Sequence, residues 1–308
     1  MEQRLAVVGL YGMSALFRLD SLPQPGQTVR SRGLIFEQGG KGYNQAIGAL
    51  RAGARVFYAA AVGDDAYGKD APDVFRQDGL TDFACLTVAG QPTAFAAVVS
   101  DAQGENEVIV EQGANACWTS EMADSLEEEI AKCSAILLQC EMPDEPLLRF
   151  LTIARRHGLY TVLNPAPARL LPDALLSLCD LVTPNWGEAQ TITGLPGAPV
   201  EDVAQALLRS GCGAGVITLG SRGVYAQKAG QPGFYRPAFP VSAVDTTGAG
   251  DNFNGALCAR LLAGDEFMAA VRYACASSAL SVTRRGVIAA IPTREEVKEF
   301  LRHECQTV

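Results

Sequence analysis

Histidine, tryptophan and positive charge are all scarce in this chain. Only two histidines occur among 308 residues, His157 and His303, far apart in sequence. That scarcity argues against His-rich metal centres and against a Ser-His-Asp triad. Lys+Arg number 25 against 34 Asp+Glu, a net charge of −9. With no cationic surplus to neutralise a phosphate polymer, nucleic acid is not expected as a partner. No apolar run approaches the ~18–20 residues that span a bilayer, so no membrane partner is expected either. Cysteine is present nine times, but no two cysteines have C-x-x-C spacing, which removes the usual zinc-knuckle and redox motifs. Most lie in apolar surroundings, as in Cys133-Ser-Ala-Ile-Leu-Leu-Gln-Cys140. Buried, reduced thiols in a cytoplasmic protein are the expectation. The N-terminal residues read as a first strand rather than a signal peptide.

What the chain does have is rhythm. Apolar residues make up 48% and charged residues 19%, a balance suited to a packed core. The length fits one large domain. Leu5–Gly9, Arg55–Val62, Ala135–Gln139, Tyr160–Asn164, Asp180–Thr183 and Val216–Leu219 read as buried strands, continuous apolar runs between turn residues. Amphipathic helical patterns alternate with them at Ala66–Gly79, Glu121–Ala131, Glu145–His157 and Val200–Ser210. Three more close the chain at Ala249–Ala263, Glu266–Val282 and Thr293–His303. That order predicts an α/β fold with a mostly parallel sheet covered by helices on both faces. Residues 13–37 and 93–113 break the rhythm with alternating β-type segments, and Asp101-Ala-Gln-Gly104 reads as a hairpin turn. A small antiparallel sheet apart from the main core, serving as a lid or a dimer surface, would account for both.

Asp245-Thr-Thr-Gly248-Ala249-Gly250-Asp251 runs into a helical pattern. Glycines allow close backbone approach, and a helix start offers unpaired N–H groups and a favourable dipole, so this is an anion site. Asp251 in its first turn is placed to take a proton from an attacking hydroxyl, or simply to favour the helix dipole. Gln38-Gly39-Gly40-Lys41-Gly42-Tyr43-Asn44 opens another helix. It lacks the Ser/Thr and the upstream Gly of a P-loop. Lys41 and Asn44 there face either a hydroxylated ligand or solvent. Asn185 and Glu188 follow a strand and share one helix face; they suit either a Mg²⁺ held partly through water or a capping box. Glu141, Asn164 and the run Thr218-Leu-Gly220-Ser221-Arg222-Gly223 mark further strand ends, where open α/β sheets bind ligands. A dinucleotide fingerprint fails, because Phe253 stands where its third glycine belongs.

In this order the segments resemble the ribokinase family, the phosphofructokinase-B type of sugar and nucleoside kinases. Gly39-Gly-Lys-Gly-Tyr-Asn44 looks like its N-terminal signature and Asp245-Thr-Thr-Gly-Ala-Gly-Asp251 like its C-terminal one, and the likeness covers nearly all of 1–308. It implies a three-layer α/β/α domain with a β lid that also clasps a second subunit, forming a homodimer. It implies transfer of the ATP γ-phosphoryl to a hydroxyl of a small sugar. Asp251 would be the base and Gly248, Ala249 and Gly250 the anion hole. Gly39, Gly40, Lys41, Asn44, Glu141 and Ser14 would meet the sugar. Asn185, Thr218, Gly220, Ser221 and Gly223 would serve the nucleotide. Glu188 and Asn185 would support Mg²⁺, and Asp245 and Thr247 a K⁺. One departure stands out: Gly12 and Ser14 occupy places where the family carries Asn and a sugar-holding Asp. A serine does not replace a carboxylate on two hydroxyls. Ribose is therefore not expected to be the best substrate, and Tyr11 and Met13 would make a more apolar pocket. A nucleoside kinase and a non-catalytic sugar-binding regulator are the alternatives.

Overall fold

A computed structural model describes residues 3–101 and 106–304. The strands are β1 (Arg4–Val8), β2 (Gly12–Arg18), β3 (Gly33–Gly39), β4 (Arg55–Gly63), β5 (Phe83–Val88), β6 (Ala94–Ser100) and β7 (Asn106–Glu111). They continue as β8 (Ala135–Gln139), β9 (Tyr160–Asn164), β10 (Leu181–Val182), β11 (Ala214–Thr218), β12 (Val224–Lys228) and β13 (Phe234–Arg236). The helices are α1 (Lys41–Arg51), α2 (Ala66–Gln77), α3 (Ser120–Ser125), α4 (Glu127–Ala131), α5 (Asp144–Arg156) and α6 (Asp173–Leu176). After them come α7 (Trp186–Thr193), α8 (Val200–Arg209), α9 (Ala249–Leu262), α10 (Phe267–Ser281) and α11 (Arg294–Glu304).

Nine strands form one sheet in the order β13-β12-β11-β10-β9-β8-β1-β4-β5. It is parallel from β11 to β5. Side chains alternate faces along β1: Leu5 and Val7 enter one apolar cluster with α1, α9 and α10, while Ala6 and Val8 enter another with α5. Both faces are therefore covered, as a parallel sheet requires. β12 and β13 add an antiparallel edge that the sequence pattern did not reveal. The pattern also missed β5, a half-buried edge strand with weak alternation. The stretch expected as one helix at Glu121–Ala131 is two, α3 and α4, parted by a turn at Leu126.

A second sheet stands apart, in the order β3-β2-β6-β7. It is not wholly antiparallel as expected: β2 pairs with β6 in parallel, because β6 arrives only after the chain has crossed α1, β4, α2 and β5. The anticipated turn at Asp101–Gly104 falls on 102–105, outside the described residues. Of the four connections between this sheet and the rest of the fold, two meet beside the start of α1. Gly9, Leu10 and Tyr11 link β1 to β2, and Gly40 alone links β3 to α1. These connections touch: a Cβ on Gly40, whose φ is 106°, would stand 2.4 Å from the Leu10 carbonyl oxygen. Only glycine fits there.

α1 and α9 pack backbone to backbone. A Cβ on Gly255 would lie 2.3 Å from the Gln45 carbonyl oxygen, and one on Gly48 would lie 3.3 Å from Asn252 Cα. This contact brings the start of α1 against the start of α9.

Candidate active site

Gly248 precedes α9 in the left-handed region, φ 72°, where a Cβ would strike Val287 Cγ1 at 2.6 Å. The turn it makes sets Asp251 in the first turn of the helix. Asp251 is buried, and two amides hold its carboxylate. Asn44 Nδ2 donates to Oδ2 at 2.9 Å and Gln45 Nε2 donates to Oδ1 at 3.0 Å. Both donors come from α1, so the glycine contact between the helices fixes the acid's position. The Ala249 N–H makes a long turn bond to Thr246 O, 3.3 Å.

Behind Asp251 runs a buried polar chain. Gln139 Nε2 donates to Gln45 Oε1 at 2.7 Å, and Gln45 Nε2 also donates to Asn164 Oδ1 at 3.0 Å. Asn164 Nδ2 donates to Thr183 O at 2.8 Å. The Thr183 hydroxyl donates to Asn254 Oδ1, and Asn254 Nδ2 donates to Gly250 O at 2.8 Å. The carboxyl ends of β8, β9 and β10 are thereby tied to both ends of the Gly250–Asn254 turn of helix. Such networks hold a single geometry, since any further break leaves another buried polar atom unpaired; in this one Gln139 Oε1 alone lacks a partner.

Lys41, the first residue of α1, lies among three carboxylates. Asp251 is the main influence raising its pKa, with Glu141 and Glu188 adding to it against the opposing effect of burial. Burial pushes the Glu141 carboxyl up to about 7, Lys41 opposing and Asp251 reinforcing the shift. Glu141 Oε2 is buried without a partner, as are Asn44 Oδ1 and Asn115 Oδ1. Burial also raises Glu188, against the N–H of Asn185. Unpaired buried acceptors beside a lysine mark a place where ligand hydroxyls belong.

A cleft of about 570 Å³ opens beside α9. Thr218, Gly220, Ser221 and Gly223 line one side; Thr246, Ala249, Gly250 and Phe253 line the other. Arg222, in the same run, is exposed and does not line it. Asp245 staples two loops: its Oδ1 accepts from Thr247 N at 3.0 Å and its Oδ2 from Gly286 N at 3.3 Å.

The fold brings Gly39, Gly40, Lys41, Asn44, Glu141, Glu188 and Asp251 to one end of the sheet. Asn185 and Glu188 form a capping box, Asn185 Oδ1 accepting from Glu188 N at 2.9 Å and Glu188 Oε2 from Asn185 N at 2.7 Å. Ser14 stands in the second sheet, opposite Glu37 on β3 and Ala96 on β6. Tyr11 does not form a pocket wall. It is fully buried in an aromatic cluster, edge-on to Tyr43 and Phe75 at 5.2 and 4.8 Å between centroids. Asp20, on the chain that leaves β2, pairs with Arg32. Gln45, Gln139 and Asn254 escaped notice because buried amides leave no mark in composition or spacing. Their one sequence signal is a polar residue inside an otherwise apolar helix or strand.

Residues 2–294 match the model of the pfkB family carbohydrate kinases. The chain is 35% identical over 306 residues to a ribokinase of Haemophilus influenzae, covering 98% of this chain and 100% of the relative. It is also 35% identical over 299 residues to a ribokinase of Bacillus subtilis, covering 97% and 99%. The structure of Arabidopsis thaliana ribokinase complexed with ribose and ATP superposes with a TM-score of 0.90 at 28% identity, over 98% of this chain and 99% of that one. Fold, site and likeness together define an ATP-dependent sugar kinase. The chain belongs to the pfkB family of carbohydrate kinases.

Proposed function

We propose that Asp251 is the general base that activates a hydroxyl of a small sugar for attack on the γ-phosphorus of ATP. The new bond joins the sugar oxygen to phosphorus, the bond from phosphorus to the β–γ bridging oxygen breaks, ADP leaves, and Asp251 takes the hydroxyl proton. The observation that carries this reading is the buried Asp251 carboxylate, held by Asn44 and Gln45 at the helix start that borders the 570 Å³ cleft. Phosphoryl transfer needs positioning and charge stabilisation more than covalent chemistry, and the site provides both. Gly248, Ala249 and Gly250 form the anion hole at the N-terminus of α9. Thr218, Gly220, Ser221 and Gly223 hold the nucleotide in the cleft. Gly39, Gly40, Lys41, Asn44 and Glu141 hold the sugar, with Ser14 above them.

A Mg²⁺ fits the donor chemistry here, since such ions take one carboxylate plus phosphate and water oxygens. Glu188 would supply that carboxylate through Oε1, since its Oε2 accepts from Asn185 N, and Asn185 would orient it through the capping box. The ion would offset charge on the phosphates. Asp245, with the carbonyl of Thr247 and those of 282–290, fits a K⁺: it is a single carboxylate tied to two loops. That cation would steady the loops beside the anion hole.

The second sheet carries six exposed large apolar side chains, Leu34, Ile35, Phe36, Val108, Ile109 and Val110. Apolar surface of this extent marks a protein contact, and a second copy of the chain is the proposed partner. The eight described cysteines are all free, which suits the reducing cytoplasm. Coupled ADP release over a panel of sugars and nucleosides tests the reading. Sugar-dependent release is expected, with ribose no better than its deoxy and keto relatives. Release with nucleosides alone, or with nothing, would overturn it.

A further inference from the structure

The second sheet presents one carboxylate toward the site, and it is not at position 14. Across the sheet, Glu37 on β3, Ser14 on β2, Ala96 on β6 and Val110 on β7 form one row and share one face. The row on the core side holds Gly39, Gly12 and Ala94, and the row beyond includes Ile35, Leu16 and Val98. Within these three rows Glu37 is the single acid, with one hydroxyl, that of Ser14, beside it; Arg18 and Ser100 stand one row further out.

This face looks toward the catalytic helix. A Cβ added to Gly286 would stand 3.3 Å from Glu37 Oε1. Gly286 in turn donates to Asp245, and its neighbour Val287 packs on Gly248 at the start of α9. Glu37 also lies two residues before Gly39, from which the chain passes through Gly40 into Lys41. The carboxylate therefore reaches from the second sheet to the Gly286 loop, which packs on the start of α9. It is partly buried, and no cation or hydrogen-bond donor among the described residues pairs with it. A partly exposed carboxylate with no protein partner keeps both oxygens available to a ligand's donors. Paired sugar hydroxyls are such donors, because one carboxylate accepts from two of them.

We infer that Glu37 is the sugar-binding carboxylate of the second sheet, with Ser14 as its cross-strand hydroxyl companion, and that this pair sets which polyhydroxylated sugar is accepted. The inference rests on the sugar-kinase reading above. Directly opposed residues on antiparallel strands have Cβ atoms about 4.5–5.5 Å apart, so moving the acid between strands moves the hydroxyls it can reach by about that much.

The test is steady-state kinetics on Glu37→Ala, Glu37→Gln and the double variant Ser14→Asp/Glu37→Ala, over a panel of pentoses, deoxypentoses and ketohexoses. A lost charge-assisted bond corresponds to about a 10–100-fold rise in KM for the best sugar. KM for ATP and the melting temperature should stay near the parent's. The double variant should regain sugar binding with a changed order of preference, which a merely structural acid would not allow. Sugar KM values within twofold of the parent in Glu37→Ala would overturn the inference. So would a shifted K⁺ activation curve with unchanged sugar KM, which would make Glu37 a neighbour of the cation instead. A parent protein inactive on every sugar overturns the kinase reading and this one together; an active parent with indifferent Glu37 variants overturns this one alone.

Discussion

Asp251→Asn separates the base from the scaffold around it. The substitution removes the proton acceptor and replaces one carboxylate oxygen by an amide that donates. Two amides already donate to Asp251, so one of them would face a second donor. Gln45 is not free to turn over, because its own oxygen accepts from Gln139. Asn44 is: its Oδ1 has no partner, so rotating its amide presents an acceptor to the new NH₂ group. The variant should therefore fold with a stability loss of about 1 kcal/mol or less, the scale of one neutral hydrogen bond. Catalysis should suffer far more. General-base assistance contributes about 10²–10⁴-fold, or about 3–5 kcal/mol of barrier. The assay is kcat by coupled ADP release, alongside sugar affinity by calorimetry and denaturant unfolding. Folded protein that binds sugar within a few-fold of the parent but turns over at least 100-fold more slowly is the expected result. A folded variant with kcat within tenfold of the parent would refute the role of Asp251 and the amide argument with it.

Burial holds the Glu141 carboxyl near 7 in the free protein, so kcat/KM for sugar should fall as pH drops through about 7, and Glu141→Gln should flatten that limb of the profile. The stability sign runs the other way. A carboxyl raised from 4.5 to about 7 binds more protons folded than unfolded, so its stabilising contribution is full below 4.5 and lost as pH rises through 7. Glu141→Gln should gain stability relative to the parent at pH 8 in chemical denaturation and show little gain at pH 4. Gly255→Ala drives a methyl against the Gln45 carbonyl and Ala49 N, and should cost about 1–3 kcal/mol by denaturant unfolding while lowering kcat, since the helices that position Asp251 are pushed apart. Ile109→Lys on the second sheet, where Ile109 is 75% exposed, should convert a dimer to a folded monomer in sedimentation; an unchanged mass would remove this face as the interface.

The strand–helix alternation was legible because continuous apolar runs ended at polar residues, and β8 and β9 fall on their expected bounds. The edge strands β5 and β13 were not, since half-buried strands lack a clean pattern; nor was β12, which is buried between β11 and β13. The helix starts at Lys41 and Ala249 announced themselves through glycines, whose positions are set by backbone geometry. Gln45 and Gln139 did not, because a buried amide acts through partners 94 residues apart in sequence. Asn185 and Glu188 show the opposite problem. One spacing serves a metal and a helix cap alike, and only coordinates reveal that the cap is formed. The absent acid at position 14 was plain to see, but not its neighbour across the strand, because register is a property of pairing rather than of sequence.

The meeting of Gly40 with Leu10 has a mechanical meaning. The connections from β1 into β2 and from β3 into α1 pass through one point, so the β2–β3 side of the sheet has a pivot rather than a pair of loose tethers. β3 continues into α1 through Gly40 alone, which makes the sheet the long arm of a lever and Lys41 its short one. Any tilt of that sheet over a bound sugar turns the lysine that stands among Asp251, Glu141 and Glu188. Sugar occupancy would thereby be signalled to the phosphate end of the site by rigid backbone.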